Sequence, residues 1–351
     1  MQYRQLGVSG PKVSVLSFGN WITGDDKESE KTQIELVKIA YDAGVNFFDT
    51  AELYGYGVAE EIMGKAIVNL KCKREDLVVS TKLYWGKSEK FPGVNCTGLS
   101  RKHLIEGMKA SLKRLQLDYV DIVFCHRADP EISLEDVCKS MSWIVDQGYS
   151  VYWGTSEWPA CLISAAIEIC NRLGLNKPIA EQPQYSMVHR ERFEQEYREI
   201  FEVYKYGTTI WSPLANGLLS GRFNDGVIDA DSRLNKAAFA KMMFEHQKNS
   251  TSDIFSKLKK LAELAKEVGC SQAQLAILWV IANKDVSTCI LGASKESQLK
   301  ETLETVKYLS KWTPELNDKI DEILGNEVTK RMDFKAFVEI KNRRNLNQIN
   351  L

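Results

Sequence analysis

Short runs of β-branched and aromatic residues alternate along most of the chain with longer segments of helical period. In the longer segments, such as LIEGMKASLKRL and IFSKLKKLAELAKEV, apolar residues recur three and four positions apart and charged residues cover the other face. Most of the short runs are apolar on both faces, as expected of buried parallel strands. The pattern predicts an α/β protein with eight parallel strands, at residues 13–19, 46–51, 77–82, 120–126, 150–156, 179–184, 208–214 and 287–293. Eight such strands can close a (β/α)8, or TIM, barrel.

Segments at both ends extend this predicted barrel. YRQLGVSG and KVSV form two short strands around a Gly-containing turn, which predicts an N-terminal β-hairpin at the bottom of the barrel. After the eighth strand, KESQLKETLETVKYL and a second helix ending near Gly325 predict extra C-terminal helices. We expect a single domain over residues 1–326 and a polar tail over residues 327–351, either a surface helix or partly disordered. The connection 215–249 is long enough to be a lid or binding loop.

Composition and charge narrow the classes of function. The 46 Lys and Arg residues nearly balance the 47 Asp and Glu residues, so no general attraction to nucleic acid or to an anionic membrane is expected. No apolar run approaches the roughly 20 residues needed to cross a bilayer, and the N-terminus lacks the pattern of a secretory signal. Eight cysteines and four histidines show no metal-ligand spacing. We therefore expect a cytoplasmic protein without membrane insertion or metal, whose partner is a small molecule or another protein.

Four polar side chains are predicted to meet at one end of the barrel. Asp49 ends the second predicted strand, Lys82 the third and His126 the fourth, and Tyr54 lies in the loop after Asp49. Active sites of TIM barrels lie at the C-terminal ends of the strands, so polar groups there point to function. Singly, each residue has an ordinary structural explanation, such as a helix cap or a buried structural histidine.

Together, these four side chains can reduce a carbonyl group. Hydride delivery to carbon leaves an alkoxide that must receive a proton, and Tyr54 is the predicted donor. A neighbouring Lys82 ammonium would stabilise the Tyr54 phenolate, and Asp49 would hold Lys82 charged. His126 would donate a hydrogen bond to the carbonyl oxygen. A non-redox barrel in which Lys82 forms a Schiff base is the alternative from these residues alone.

The sequence resembles the aldo-keto reductase superfamily over nearly its whole length. The resemblance is carried by FFDTAELYGYGVAEEIMGKA, STKLYWG, VDIVFCHRADP, WGTSEW, WSPLANGLLSG and ILGASKESQL, and it points to the branch containing the β subunits of voltage-gated potassium channels. It implies NADPH or NADP+ bound across the C-terminal face, with the catalytic tetrad at Asp49, Tyr54, Lys82 and His126. It also implies cofactor contacts at Trp21, Ser156, Gln182, Trp211, Ser212, Leu214, Gly217, Leu218, Arg222, Ser294, Gln298 and Glu301.

A glycine-rich dinucleotide site of the Rossmann type is not predicted. It would need G-x-G-x-x-G between a strand and a helix, and GYGVAE has Glu60 at the third glycine position. The substrate pocket is predicted to be lined by aromatic residues that suit aromatic or apolar aldehydes and ketones, with sugars as the alternative. These residues are Trp21, Tyr84, Trp85, Trp158 and Tyr185.

Three positions qualify the resemblance. Glu157 stands where many reductases of the superfamily have Asn and channel subunits have a basic residue. Thr302 stands where relatives commonly place Asn near the adenine. Channel β subunits usually carry Asn where this chain has His126, and the histidine favours a working reductase.

Two functions of different class are compatible with these features. The first is an NADPH-dependent reductase of the alcohol dehydrogenase (NADP+) type, acting on a small carbonyl substrate. The second is a regulatory channel β-type subunit that uses bound NADPH as a redox sensor. The hairpin starts almost at Met1, which leaves no room for the N-terminal inactivating segment of some channel subunits, although other subunits lack it. A homo-tetramer is implied by analogy with channel-type relatives, whereas many other members are monomers.

Overall fold

A closed barrel of parallel strands forms the centre of the molecule. The computed structural model describes residues 1–21, 27–86, 94–227 and 238–328. A hairpin of β1 (Tyr3–Gln5) and β2 (Lys12–Ser14) precedes eight barrel strands, which pair in chain order, with the last strand closing on the first. Each barrel strand overlaps a predicted one, which confirms the predicted (β/α)8 barrel. These are β3 (Leu16–Gly19), β4 (Phe47–Asp49), β5 (Val78–Leu83), β6 (Val120–Cys125), β7 (Ser150–Thr155), β8 (Ala180–Glu181), β9 (Gly207–Ile210) and β10 (Thr288–Leu291).

Ten α-helices lie in the described part of the chain, most of them in the connections between strands. Several begin at a serine whose hydroxyl accepts a backbone N–H of the first turn, as Ser100 and Ser133 do. Ser271 forms a full capping box with Gln274. The helices are α1 (Lys27–Asp42), α2 (Val58–Leu70), α3 (Arg101–Leu115), α4 (Leu134–Asp146), α5 (Ala160–Leu173), α6 (Ala238–Ser250), α7 (Ile254–Val268), α8 (Gln272–Ala282), α9 (Glu296–Leu303) and α10 (Pro314–Leu324).

Short 3-10 and π segments complete the connections. 3-10 turns occupy Tyr54–Gly57, Arg74–Asp76, Ala215–Ser220 and Glu304–Lys311, and π segments occupy Arg192–Glu196 and Ile200–Tyr204. None of the helices in the described ranges is long and apolar enough to cross a membrane.

The apolar core has two layers because strand side chains alternate between the two faces of the barrel wall. A small inner cluster fills the barrel and includes Phe47, Val78 and Phe124. A larger outer cluster joins the strands to the helices, and Phe48 and Val79 belong to it. Every residue of β5 is buried, as expected of a strand covered on both faces.

The N-terminal hairpin closes one end of the barrel, as predicted. Leu6 and Val13 from the hairpin are fully buried in the inner cluster. Arg4 fixes the hairpin to the end of α8, because its guanidinium donates to the backbone carbonyls of Ile281 (2.6 Å), Asn283 (3.0 Å) and Val286 (2.6 Å). The hairpin is therefore tied to the last β/α unit.

The predicted C-terminal helices are present as α9 and α10, and α10 ends at Gly325, whose φ of 58° suits glycine. Residues 329–351 of the predicted tail lie outside the described residues. The same holds for residues 228–237 of the predicted lid, whose other parts are the 3-10 turn Ala215–Ser220 and α6. The division into a domain over 1–326 and a tail over 327–351 stays a prediction.

Candidate active site

Strand periodicity brings the predicted catalytic side chains to the inside of the barrel. Side chains two positions apart on a strand point to the same face. Asp49 therefore shares the inner face of β4 with Phe47, and Lys82 shares that of β5 with Val78. His126 follows β6 by one residue and continues its inward-facing series. Each polar group is the last inward residue above an apolar layer.

Asp49 and Lys82 form a buried ion pair with a Nζ–Oδ2 distance of 2.6 Å. Lys82 is fully buried and also donates to the carbonyl of Thr50 at 2.7 Å. The other carboxylate oxygen of Asp49 accepts from Ser80 Oγ at 2.7 Å and from Gln182 Nε2 at 3.1 Å. Burial alone would lower the pKa of Lys82, but the nearby Asp49 carboxylate and the Tyr54 hydroxyl raise it on balance. The ammonium therefore stays charged at neutral pH.

Tyr54 begins the 3-10 turn that follows β4, and its ring lies over the Lys82 ammonium. The ring centroid is 4.7 Å from Lys82 Nζ. Burial raises the pKa of Tyr54, and the positive charge of Lys82 opposes this shift without reversing it. Lys82 thus lowers the pKa of Tyr54, as expected, but burial raises this pKa by more. The phenol is protonated at neutral pH, as a proton donor must be.

His126 completes the group beside Tyr54, with 5.9 Å between the two ring centroids. It is 5% exposed, and its buried Nδ1 has no hydrogen-bond partner in the part of the chain that the structure describes. Burial and the positive charges of Lys82 and Arg127 hold the pKa of His126 well below its usual value. The imidazole is therefore neutral, and it can act as a hydrogen-bond donor but not as a cation.

Residues that the resemblance assigns to the cofactor also lie at neighbouring strand ends. Ser156 follows β7 and donates to the carbonyl of Gln182, which follows β8, at 2.9 Å. Gln182 in turn contacts Asp49, so this pair adjoins the tetrad. Trp211 follows β9 and is partly exposed, and its indole N–H donates to Glu157 at 3.0 Å. The Trp211 ring is therefore held in one orientation with part of its surface accessible.

Glu157 occupies a constrained position with a left-handed φ of 57°. Its Oε1 accepts from the backbone N–H of Gln184 at 2.6 Å, in addition to Trp211. Its Oε2 pairs with Arg192 Nη1 at 2.9 Å. Both carboxylate oxygens of Glu157 are therefore engaged.

The loop after β9 turns sharply. Left-handed φ values occur at Ser212 (56°), Ala215 (50°), Asn216 (54°) and Gly217 (96°). The hydroxyl of Ser212 accepts the backbone N–H of Asn216 at 3.0 Å. Leu214 is partly buried and Leu218 fully buried, whereas Arg222 is exposed.

The remaining cofactor-assigned residues lie around the start of α9. Ser294 contacts Gln298 Oε1 through both its backbone N–H and its hydroxyl, each at 3.1 Å. Glu301 has an exposed side chain, and its carbonyl accepts from Gln274 at 2.8 Å. Thr302 bonds back to the carbonyls of Gln298 and Leu299 within its own helix.

Three of the five predicted pocket aromatics surround the tetrad. Trp21 makes an edge contact with Tyr54 at 6.5 Å between centroids, and Trp85 makes one with His126 at 4.9 Å. Tyr84 packs on Trp85 at 4.9 Å. These rings give the substrate side of the site an aromatic wall.

The structure does not bring Tyr185 and Trp158 to the tetrad. Tyr185 is 1% exposed, stacks on Phe193 at 4.1 Å and donates its hydroxyl to Glu194 at 2.7 Å. Trp158 is also 1% exposed, and its backbone N–H donates to Glu181. Throughout the described ranges, no ring contact or hydrogen bond joins either residue to the tetrad. Periodicity does not determine where loop aromatics point, so their place as pocket residues stays a prediction.

Sequence reasoning missed two charged residues near the site. Arg127 directly follows His126, and it stood inside the motif VDIVFCHRADP. Glu181 precedes Gln182, and burial raises its pKa to about 8. Its carboxyl group is surrounded by neutral donors, namely the Thr155 hydroxyl, the backbone N–H of Trp158 and the Tyr197 hydroxyl. The alternation of β8 could have indicated that Glu181 points away from the barrel interior.

The chain is similar in sequence to a known protein family and to several named proteins. The model of the aldo/keto reductase family matches residues 15–324. A "Probable voltage-gated potassium channel subunit beta" of Oryza sativa subsp. japonica is 44% identical over 337 residues, which cover 95% of this chain and 100% of the relative. The protein of the same name from Arabidopsis thaliana is 44% identical over 329 residues, 93% of this chain and 98% of the relative. A "Putative voltage-gated potassium channel subunit beta" of Schizosaccharomyces pombe is 43% identical over 327 residues, 92% of this chain and 93% of the relative.

Proposed function

Since the chain belongs to the aldo/keto reductase family of oxidoreductases, which generally use NAD(P)H, we propose that it reduces aldehydes and ketones to alcohols with NADPH. The observation that carries this proposal is the buried Lys82–Asp49 pair next to the ring of Tyr54, whose hydroxyl is protonated. A buried ion pair costs desolvation energy. The position of the Lys82–Asp49 pair at the C-terminal face, next to the Tyr54 phenol, suits proton donation to the oxygen of a reduced carbonyl.

Each member of the tetrad has a role that its surroundings support. Tyr54 donates the proton to the substrate oxygen, and the charged Lys82 stabilises the phenolate that remains. Asp49 keeps Lys82 charged and fixed. The neutral imidazole of His126 donates a hydrogen bond to the carbonyl oxygen and polarises it before the proton arrives.

The residues assigned to the cofactor fit a nicotinamide dinucleotide. When bound, the cofactor supplies the hydride. The partly exposed Trp211 ring, held by Glu157, offers a fixed flat surface for an aromatic ring. Ser156 and Gln182 offer polar groups for a carboxamide, and the exposed guanidinium of Arg222 suits a phosphate. Trp21 of the same set follows β3, and the other members lie around the bend after β9 and along α9. These are Ser212, Leu214, Gly217, Leu218, Ser294, Gln298 and Glu301.

Replacement of the Tyr54 hydroxyl tests this proposal. We expect the wild-type protein to oxidise NADPH in the presence of 4-nitrobenzaldehyde, measured by loss of NADPH absorbance. Tyr54→Phe should lower turnover by a factor of about 100 or more while NADPH binding stays unchanged. Tyr56→Phe is a matched control, since Tyr56 lies two residues further along the same 3-10 segment and is exposed. Full turnover in Tyr54→Phe would exclude Tyr54 as the donor.

A second candidate function follows from the names of the three relatives. The chain could serve as a channel β-type subunit that uses bound NADPH as a redox sensor, in the cytoplasm and as a tetramer. Tight NADPH binding without turnover of several aldehydes and ketones would favour this function over the reductase. Sedimentation of the purified protein would test the tetramer.

A further inference from the structure

We propose that Arg127 selects carbonyl substrates that carry an anionic oxygen group, such as a carboxylate. This inference rests on the proposed reductase function and adds a substrate class to it. It depends on where the guanidinium lies, on its lack of a direct ion pair among the described residues and on its separation from the residue assigned to a cofactor phosphate.

The guanidinium of Arg127 lies on the aromatic wall of the substrate side. It sits 5.1 Å from the ring centroid of Trp85, which contacts the His126 ring at 4.9 Å. One of its nitrogens, Nη1, donates to the backbone carbonyl of His126. These two contacts fix a positive charge close to His126, with the Trp85 ring in contact with both residues.

Among the described residues this guanidinium forms no direct ion pair, in contrast to the other fixed cations of the site. Lys82 pairs with Asp49 at 2.6 Å, and Arg192 pairs with Glu157 at 2.9 Å. Over the described ranges, no carboxylate oxygen lies within 4.0 Å of the Arg127 guanidinium. The side chain is only partly exposed, and burial lowers its pKa from the usual arginine value, although the charge of the more distant Glu157 carboxylate opposes this shift. An anion in direct contact with the guanidinium would further offset the cost of burying its charge.

The free donors of Arg127 match a planar anion. A guanidinium carries five N–H donors in a fixed fork, and the contact with the His126 carbonyl uses one side of it. The remaining donors can hold both oxygens of a carboxylate. The Trp85 ring supports the guanidinium from one face, as cation–π contacts commonly do.

The position of Arg127 makes a cofactor phosphate an unsuitable partner. Arg127 follows β6, whereas Arg222, which is assigned to a cofactor phosphate, follows β9. In the barrel, β7 and β8 separate β6 from β9. An anion on Arg127 would therefore belong to the substrate.

Two aldehydes that differ only in charge test this inference. 4-Carboxybenzaldehyde carries an anion opposite its aldehyde, and methyl 4-formylbenzoate is its neutral counterpart. We expect a higher kcat/KM for the carboxylate in the wild type. Arg127→Gln should lower kcat/KM for the carboxylate about 10-fold to 100-fold, mainly through KM, and change that for the ester less than about 3-fold. The kcat/KM of Arg127→Lys for the carboxylate should lie between those of the wild type and Arg127→Gln, because the lysine ammonium keeps the charge but lacks the forked donors of a guanidinium.

A control variant separates local recognition from overall charge. Arg172→Gln removes one positive charge from an exposed surface pair, since the Arg172 side chain is 62% exposed. It should leave the preference unchanged. NADPH affinity should be the same in all four proteins.

Two results would overturn the inference. One is an equal loss on both aldehydes in Arg127→Gln, which would mean that Arg127 acts through Tyr54 and His126. The other is a wild type without preference for the carboxylate.

If the wild type reduces neither aldehyde, the proposed reductase function fails and binding decides the inference separately. Calorimetry would then compare 4-(hydroxymethyl)benzoate with its methyl ester on the NADP+-loaded protein. A carboxylate preference that disappears in Arg127→Gln supports the anion site, and equal binding of the two compounds overturns it.

Discussion

The indole N–H of Trp211 donates to the carboxylate of Glu157 over 3.0 Å, which joins the ends of β9 and β7. Arg192 holds the second oxygen of the same carboxylate at 2.9 Å. The orientation of Trp211 therefore depends on a residue two strands away.

Loss of the Glu157 side chain should weaken NADPH binding. In Glu157→Ala, Trp211 loses its hydrogen-bond acceptor, and we expect the Kd for NADPH to rise about 5-fold to 10-fold. Glu157→Gln keeps an acceptor oxygen and should stay within about 2-fold of the wild type. Titration of protein fluorescence with NADPH measures both. Equal weakening in the two variants would show that the charge of Glu157 matters rather than its hydrogen bond to Trp211.

Asp49→Asn should destabilise the protein because it leaves the Lys82 ammonium buried without its counter-ion. We expect the free energy of unfolding to fall by about 3 to 5 kcal/mol, as for other broken buried pairs. Adding Lys82→Met removes the unpaired charge, so the double variant should be more stable than Asp49→Asn alone. Urea unfolding of the three proteins measures this. A double variant less stable than Asp49→Asn would show that the unpaired Lys82 ammonium is not the cause of the lost stability.

Stability should fall with rising pH because of Glu181. Its pKa in the folded protein is raised from 4.5 to about 8, so the folded state binds this proton more tightly than the unfolded chain. The stabilisation is fully present below 4.5 and is lost as the pH rises through about 8. Glu181→Gln stays neutral at all pH values, so its free energy of unfolding should rise relative to that of the wild type over this range by about 5 kcal/mol. Urea unfolding at several pH values would reveal it, and a constant difference would rule out Glu181 as the titrating group.

Turnover should not decline through protonation of His126 at mildly acidic pH. The pKa of His126 is held well below 6.5, so the imidazole stays neutral there. We expect the ratio of wild-type turnover to that of His126→Gln to remain constant between about pH 6 and about pH 8. A ratio that falls towards 1 near pH 6.5 would mean that His126 ionises in the working range.

The strands and the inward placement of three predicted catalytic residues could be predicted because both depend on a two-residue period. Once β4, β5 and β6 are located, the period assigns Asp49, Lys82 and His126 to the inner face. The rise in the pKa of Tyr54 was not predictable, because it depends on how deeply the following loop is packed.

The directions of loop side chains could not be predicted in the same way, because a two-residue period does not extend into loops. The Tyr185 ring, for example, stacks on Phe193, and the assignment of Tyr185 and Trp158 to the substrate pocket stays a prediction. Arg127 was overlooked beside His126, and only its lack of a direct ion pair among the described residues, a property of the folded arrangement, draws attention to it.

The contact between Arg4 and Ile281 links positions 277 apart along the chain. It accompanies the pairing of β3 with β10, so the first barrel strand has no partner on one side until the last one has been synthesised. Contacts this distant in sequence slow folding and leave strand edges open to association meanwhile. A nascent chain of this protein therefore carries an incomplete sheet for most of its translation, and closure of the ring is among the last events of its biogenesis.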